Sequence, residues 1–195
     1  INKAFTLHSK GNIAEAKKCY ENFINLGFED YKVFANYGMI LINLGELKKA
    51  EIYTRKAIGI NPNYAIGYSN LGNIFQNYGE FKKAEVFIRK AIELDPNFSM
   101  AYFNLGNIFQ SYGEFKKAEV FILKAIELDP NFSMAYFNLG NIRKYLGKTK
   151  ESLDSFMKVI EINPQYNYTY NAVTELLKNT DPSQFETTKL QKILN

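Results

Sequence analysis

The 195-residue sequence contains one cysteine, Cys19, and one histidine, His8. A single thiol excludes an internal disulfide and is typical of a reducing compartment, so we expect a cytoplasmic location. One histidine and one cysteine cannot supply the ligands of a usual zinc site. No aspartate, cysteine or serine is spaced to pair with His8, which favours a packing or surface role over that of a general base. The sequence therefore predicts no catalytic residue, no metal, no cofactor and no enzymatic activity.

Long apolar runs and strong charge of one sign are also missing. No stretch approaches the ~18 consecutive apolar residues of a membrane-spanning helix, so no membrane partner is expected. The chain starts at Ile1 in the middle of a repeat, which suggests a fragment of a longer protein. Whether a leader was removed stays an open question. The net charge of +4 comes mainly from lysine pairs with glutamates nearby. Mixed charges at helical spacing are typical of a solvated face, so we expect no nucleic-acid binding.

What the sequence does contain is a period of 34 residues. The segments Gly79–Phe109 and Gly113–Arg143 differ at only two positions, where Arg89 corresponds to Leu123 and Phe109 to Arg143. A fixed period in the range of about 20 to 50 residues indicates a solenoid, in which each repeat buries its apolar face against its neighbours.

The residues inside the period indicate which solenoid this is. An aromatic residue, Leu-Gly, a second aromatic residue, alanine, a bulky residue and proline occur in that order at Tyr68, Leu71-Gly72, Phe75, Ala84, Ile88 and Pro96. The same order recurs at Tyr102, Leu105-Gly106, Phe109, Ala118, Ile122 and Pro130. This pattern resembles the tetratricopeptide repeat family. The resemblance implies an all-α fold, an α-α superhelix in which antiparallel helix pairs form a right-handed solenoid.

The phase of the prolines divides the chain into repeats of one solenoid domain spanning 1–195. The repeats are 1–30, which is partial, then 31–64, 65–98, 99–132 and 133–166, and finally 167–195, a degenerate repeat that caps the stack. Gly45, Gly79, Gly113 and Gly147 are expected to end the first helix of their repeats at positive φ. Gly72, Gly106 and Gly140 are expected to let the two helices of a repeat approach closely.

Asparagines recur in phase on the first helix of each repeat. One set, the first asparagine row, is Asn36, Asn70, Asn104 and Asn138. A second set, the second amide row, lies one and two turns later and comprises Asn73, Asn107, Asn141, Gln76 and Gln110. The first row resembles the asparagine ladder of the O-linked N-acetylglucosamine transferase superhelix, which implies peptide binding on the concave face. The alternative is that these amides satisfy groups in their own or neighbouring repeats; we favour the ligand hypothesis because asparagine is a mediocre helix former.

Apolar residues beside these rows are candidates for side-chain pockets. Phe103 and Phe137 precede the asparagine by one residue, and Met100 and Met134 by four. On the second helices, Ile52, Val86, Val120 and Leu123 form an aliphatic row expected to face outward, where it could serve homo-oligomerisation.

The sequence thus predicts a protein–protein interaction scaffold that binds an extended peptide or partner segment in the concave groove. Two alternatives stay open: the chain is the substrate-targeting arm of a larger bacterial transferase, or it is a self-assembling scaffold.

Overall fold

The computed structural model describes residues 1–178 and contains eleven α-helices over that range. The helices are α1 Asn2–Ser9, α2 Ile13–Asn25, α3 Tyr31–Asn43, α4 Leu47–Ile60, α5 Ala65–Asn77, α6 Phe81–Leu94, α7 Ser99–Ser111, α8 Phe115–Leu128, α9 Ser133–Tyr145, α10 Thr149–Ile162 and α11 Tyr168–Lys178. From α3 to α10 they alternate between 13 and 14 residues, so each 34-residue period supplies one pair. The all-α prediction is confirmed.

Glycine closes the turn inside each helix pair, as predicted. Gly79 has φ +74°, and Gly45, Gly113 and Gly147 lie within a few degrees of it. The Gly79 amide donates to the carbonyl of Gln76, and the Glu80 amide donates to that of Phe75. This is the Schellman pattern, in which a residue in the left-handed conformation ends a right-handed helix. At the exit from the partial first repeat, Phe28 stands where later repeats carry proline. There Gly27, at φ +79°, supplies the turn instead.

The predicted close approach of the two helices in a repeat is also observed. A Cβ added at Gly72 would lie 2.3 Å from Cδ1 of Ile88, and one added at Gly140 would lie 2.5 Å from the ring of Phe156. Ser152 replaces the usual alanine in the last of these repeats, and its hydroxyl donates to the carbonyl of Gly140 at 2.7 Å. The helix backbones are therefore in contact where glycine occupies the first helix.

The described chain divides into two compact units, with the boundary inside α7 between Asn104 and Leu105. The core of the N-terminal unit is built from large buried side chains of successive helices, including Tyr20, Ile40, Leu41, Leu71 and Ile74. The C-terminal unit has a core cluster of four buried residues from α10 and α11: Leu153, Phe156, Val173 and Leu176. The last predicted repeat is helical over Tyr168–Lys178. For the rest of that repeat, the sequence predicts a helix N-cap at Asp181 and apolar helix positions at Phe185, Leu190 and Ile193, and all four lie outside the described residues.

The two positions that differ between the otherwise identical segments decide how the glutamate that the segments share is paired. In the N-terminal unit, Glu85 pairs with Arg89 one turn later at 2.8 Å. Glu119, the counterpart of Glu85, has Leu123 at that place and instead accepts hydrogen bonds from Arg143 (3.1 Å) and Lys148 (2.6 Å). The exchange of Arg89 for Leu123 is therefore matched by the exchange of Phe109 for Arg143.

Candidate functional site

In the N-terminal unit, two members of the first asparagine row are buried between repeats. Asn70 is 1% exposed, and its Nδ2 donates to the carbonyl of Ala35 at 3.0 Å. Asn104 is 5% exposed, and its Nδ2 donates to Oγ of Ser69 at 3.2 Å. Both bonds reach the preceding repeat, so these two amides join neighbouring first helices. The Oδ1 atom of Asn70 is buried and has no partner among the described residues.

In the C-terminal unit, the corresponding asparagine is in a different environment. Asn138 is part-buried, and its Nδ2 donates to Oδ1 of Asn107 at 2.7 Å. This bond links the first asparagine row to the second amide row. It leaves Oδ1 of Asn138 and Nδ2 of Asn107 without a bond among the described residues, at a place where both side chains retain access to solvent.

The second amide row is part-buried throughout. Gln76 uses its Nε2 to donate to the carbonyl of Asn104 at 3.2 Å. Within residues 1–178, the side-chain amides of Asn73, Asn141 and Gln110 make no hydrogen bond to the protein. These three amides therefore offer a donor and an acceptor each.

The four apolar residues predicted to form side-chain pockets differ in how far they are buried. Phe103 is 8% exposed. Phe137 is part-buried and packs against Phe156 and Tyr166, with ring centroids 5.6 and 5.3 Å apart. Met100 is part-buried and Met134 is 43% exposed. Met134 is thus the most exposed of these four apolar side chains.

A cleft in the N-terminal unit was missed by the sequence analysis. It has a volume of about 410 Å³ and is lined by Phe5, His8, Ser9 and Asn36, the last being a member of the first asparagine row. Phe5 and His8 stand two periods before Asn73 and Gln76, so the repeat phase alone could have assigned them to the same helix face. His8 lies beside the buried Tyr20, with its Nδ1 3.3 Å from the tyrosine hydroxyl.

Neither metal binding nor a membrane span finds support in the described part of the chain. Residues 1–178 contain no group of three or more histidine, cysteine, aspartate or glutamate side chains placed to hold a metal ion. None of the helices in that range combines the length and the apolar character needed to cross a bilayer.

Comparison with known proteins places this geometry in a family. Models of the tetratricopeptide repeat match residues 1–26, 31–64, 65–98, 99–132 and 133–166. Four of these matches begin where α3, α5, α7 and α9 begin. No curated protein matches the sequence significantly.

Solved structures of tetratricopeptide repeat proteins share the fold at low sequence identity. TTC0263 of Thermus thermophilus is 17% identical with a TM-score of 0.79, over 91% of this chain and 97% of that one. YrrB, described as a TPR protein with an unusual peptide-binding site, is 23% identical with a TM-score of 0.59, over 88% of this chain and 89% of that one. PilF of Pseudomonas aeruginosa is 22% identical with a TM-score of 0.73, over 84% of this chain and 72% of that one. The repeat matches cover most of the sequence, and the chain belongs to the tetratricopeptide repeat family.

Proposed function

We propose that this protein is a non-catalytic scaffold whose first helices bind an extended segment of a partner protein. Tetratricopeptide repeats are protein-interaction modules, which supports the general class. The observation that carries the proposal is that part-buried amides lack a hydrogen-bond partner within residues 1–178: Asn73 in the N-terminal unit, and Gln110 with Asn141 in the C-terminal unit. A polar group that is partly removed from water and left unbonded is stabilised when a ligand supplies its hydrogen bonds.

The chemistry of these amides suits a peptide main chain. A side-chain amide can donate and accept a hydrogen bond at the same time, as each peptide unit does. Such bonds to the main chain do not depend on the side chains of the ligand. Packed helices lie about 8–10 Å apart, and an extended chain rises about 3.3–3.6 Å per residue. Amides on neighbouring first helices of one compact unit would thus meet about every third residue of the ligand. In this proposal, Asn138 acts with Asn107, whereas the buried Asn70 and Asn104 hold the helices that present the row.

Selectivity for ligand side chains is assigned to the apolar residues beside the amides. Met100 and Met134 are accessible, flexible and polarisable, so they adapt to apolar side chains of different shape. Phe103 is buried and the Phe137 ring packs against Phe156 and Tyr166, so these two side chains offer a ligand less surface.

A protein partner is favoured over nucleic acid because several of the lysines are paired with nearby glutamates. Lys83 forms an ion pair with Glu80 and Lys117 with Glu114. Lys90 and Lys124 pair with glutamates in the same way. A cytoplasmic location is part of this proposal and rests on the lone cysteine.

The two alternative functions keep separate tests. A transferase arm requires a catalytic domain in the natural protein. Self-assembly is favoured by the exposed aliphatic row, in which Ile52, Val86, Val120 and Leu123 are 55, 66, 62 and 41% exposed. If that row associates, Val86→Lys with Val120→Lys should give a folded monomer in light scattering. A wild type that is monomeric at high concentration would remove this alternative.

The binding proposal is tested with a peptide selected against the whole chain from a random-sequence display library. Replacing both Asn107 and Asn141 by alanine should weaken the peptide about 10- to 100-fold, since each ligand hydrogen bond contributes about 0.5–1.5 kcal/mol. The matched control is Asn77→Ala, because the Asn77 side chain is exposed and bonds only its own helix, at the carbonyl of Asn73. Unchanged affinity in the double variant, with helicity retained, would rule out this binding mode.

A further inference from the structure

The chemistry of the first helices changes within the N-terminal unit. At the positions that carry Asn73 and Gln76 in the third repeat, the second repeat has Met39 and Ile42 and the first has Phe5 and His8. All four replacements are part-buried. In the first two repeats, these positions are therefore largely apolar where the third repeat has amides. The cleft of Phe5, His8, Ser9 and Asn36 lies in this apolar part of the unit.

The polar groups of this cleft are ordered by Tyr20, whose side chain is fully buried. The Tyr20 hydroxyl lies 3.3 Å from Nδ1 of His8. A buried hydroxyl is satisfied when it donates its single hydrogen, so Nδ1 of His8 is the acceptor.

This arrangement fixes the state of His8. Burial lowers the pKa of the imidazole, which keeps the ring neutral at physiological pH. With Nδ1 accepting from Tyr20, the remaining ring hydrogen sits on Nε2. The Asn36 side chain lines the same cleft, and its Oδ1 accepts no hydrogen bond within residues 1–178. Ser9 does not compete, because its hydroxyl donates to the carbonyl of Thr6 at 3.0 Å.

We propose that this cleft is a side-chain subsite for an uncharged group that both donates and accepts hydrogen bonds, such as a carboxamide or a phenol of the bound segment. The ligand's acceptor takes the Nε2 hydrogen of His8, and its donor bonds Oδ1 of Asn36. The ring of Phe5 packs against the apolar part of the ligand side chain. Among residues 1–178, no aspartate, glutamate, lysine or arginine lines the cleft, so an ionised side chain would lose hydration there without a counter-charge from them.

The subsite rests on the proposed function, yet it can be tested without a partner peptide. His8 is the only histidine, so its ring nitrogens give the only imidazole signals in a long-range ¹H–¹⁵N NMR spectrum. The probes are the N-acetyl methylamides of glutamine, tyrosine and glutamate. We expect the Nε2–H tautomer pattern and saturable shifts with the glutamine or tyrosine probe, the stronger of the two identifying the source of the group. The Nδ1–H tautomer, or an equal response to glutamate, would overturn the assignment.

Matched variants show whether the probe binds through the hydrogen bonds proposed for the subsite or through unspecific polar contact. Asn36→Leu should weaken the neutral probe about tenfold, as expected for one lost hydrogen bond, whereas Ser9→Ala should not change it. Tyr20→Phe keeps the packed ring and should convert His8 to a mixture of tautomers. Equal probe binding by Asn36→Leu and wild type would contradict the proposal. If the wild-type protein binds the selected peptide but none of the probes, only the subsite is rejected. If it binds a neutral probe but the Asn107 and Asn141 double variant keeps its peptide affinity, only the peptide site is rejected.

Discussion

The N-terminal and C-terminal units use the same residue types for different tasks. Asn70 in the first unit is buried and bonded to a backbone carbonyl, whereas Asn138 in the second is part-buried and bonded to Asn107. Glu85 pairs with an arginine on its own helix, whereas Glu119 pairs with Arg143 from the next helix. The repeat position thus determines which residue type occurs, but the neighbouring repeat determines what that residue does.

The largest difference between the units is expected at the glycines of the helix contact. Gly140→Ala should destabilise the protein by about 2–3 kcal/mol, because the added methyl meets the rigid ring of Phe156 and Ser152 holds the Gly140 carbonyl. Gly72→Ala should change stability by no more than about 1 kcal/mol. Its methyl meets Cδ1 and Cγ1 of Ile88, an aliphatic side chain that can rotate about χ2 where the Phe156 ring is rigid, and alanine is the better helix former. Urea unfolding of both variants checks the ranking, and equal losses would contradict it.

The next effect concerns the ionic cluster of Glu119, Arg143 and Lys148. Glu119→Gln should cost about 2 kcal/mol because it leaves Arg143 and Lys148 without their shared carboxylate in a place where Glu119 is only 11% exposed. Glu85→Gln should cost about 0.5 kcal/mol or less, since the Arg89 partner is 54% exposed. Urea unfolding at neutral pH measures both, and a similar loss in the two variants would show that the cluster adds nothing to an ordinary surface pair.

The pH dependence of the same pair sharpens the comparison. Burial acts to raise the pKa of Glu119, but hydrogen bonds and charge from Lys148 and Arg143 outweigh it, so the pKa lies below its ordinary 4.5. A lowered folded-state pKa gives stability that is present above pH 4.5 and lost as the pH falls through the folded value. The stability gap between wild type and Glu119→Gln should therefore narrow in acid. A gap independent of pH would mean that the carboxylate charge is not its source.

The smallest effect on stability separates the two amide rows. Asn70→Ala should cost about 1 kcal/mol through the lost bond to Ala35, because the variant also removes an unpaired buried oxygen that offsets part of the loss. Asn73→Ala should be nearly neutral, since its side chain bonds nothing in the described protein. Thermal melting followed by circular dichroism measures the difference. A larger loss for Asn73→Ala would reverse the roles of the rows.

Much of the fold could be predicted from the sequence because its determinants are local. Gly79 at a helix end and Gly72 opposite Ile88 act within one repeat, and both follow from the period. The partners of Asn104 and Glu119 could not be predicted in the same way. Asn104 bonds Ser69, 35 residues earlier, and Glu119 bonds Arg143, 24 residues later. Such bonds depend on how successive helices are rotated against each other, which a repeat pattern does not specify.

The cleft at Phe5 and His8 was missed for a related reason. The first repeat departs from the asparagine pattern, on which the prediction of the binding residues rests. The phase of the repeat assigns Phe5 and His8 to the helix face that carries Asn36, yet only the structure shows the Tyr20 hydroxyl as the hydrogen-bond partner of His8.

The most direct test of the central claim is an NMR measurement of side-chain amide contacts in the complex with the selected peptide. We propose that the side-chain amides of Asn73, Gln110 and Asn141 form hydrogen bonds to the ligand. At least two of them should show intermolecular nuclear Overhauser effects to the peptide, while Asn70 and Asn104 show none. Contacts from the peptide to Asn70 or Asn104 alone, or to no side-chain amide of either row, would contradict the account.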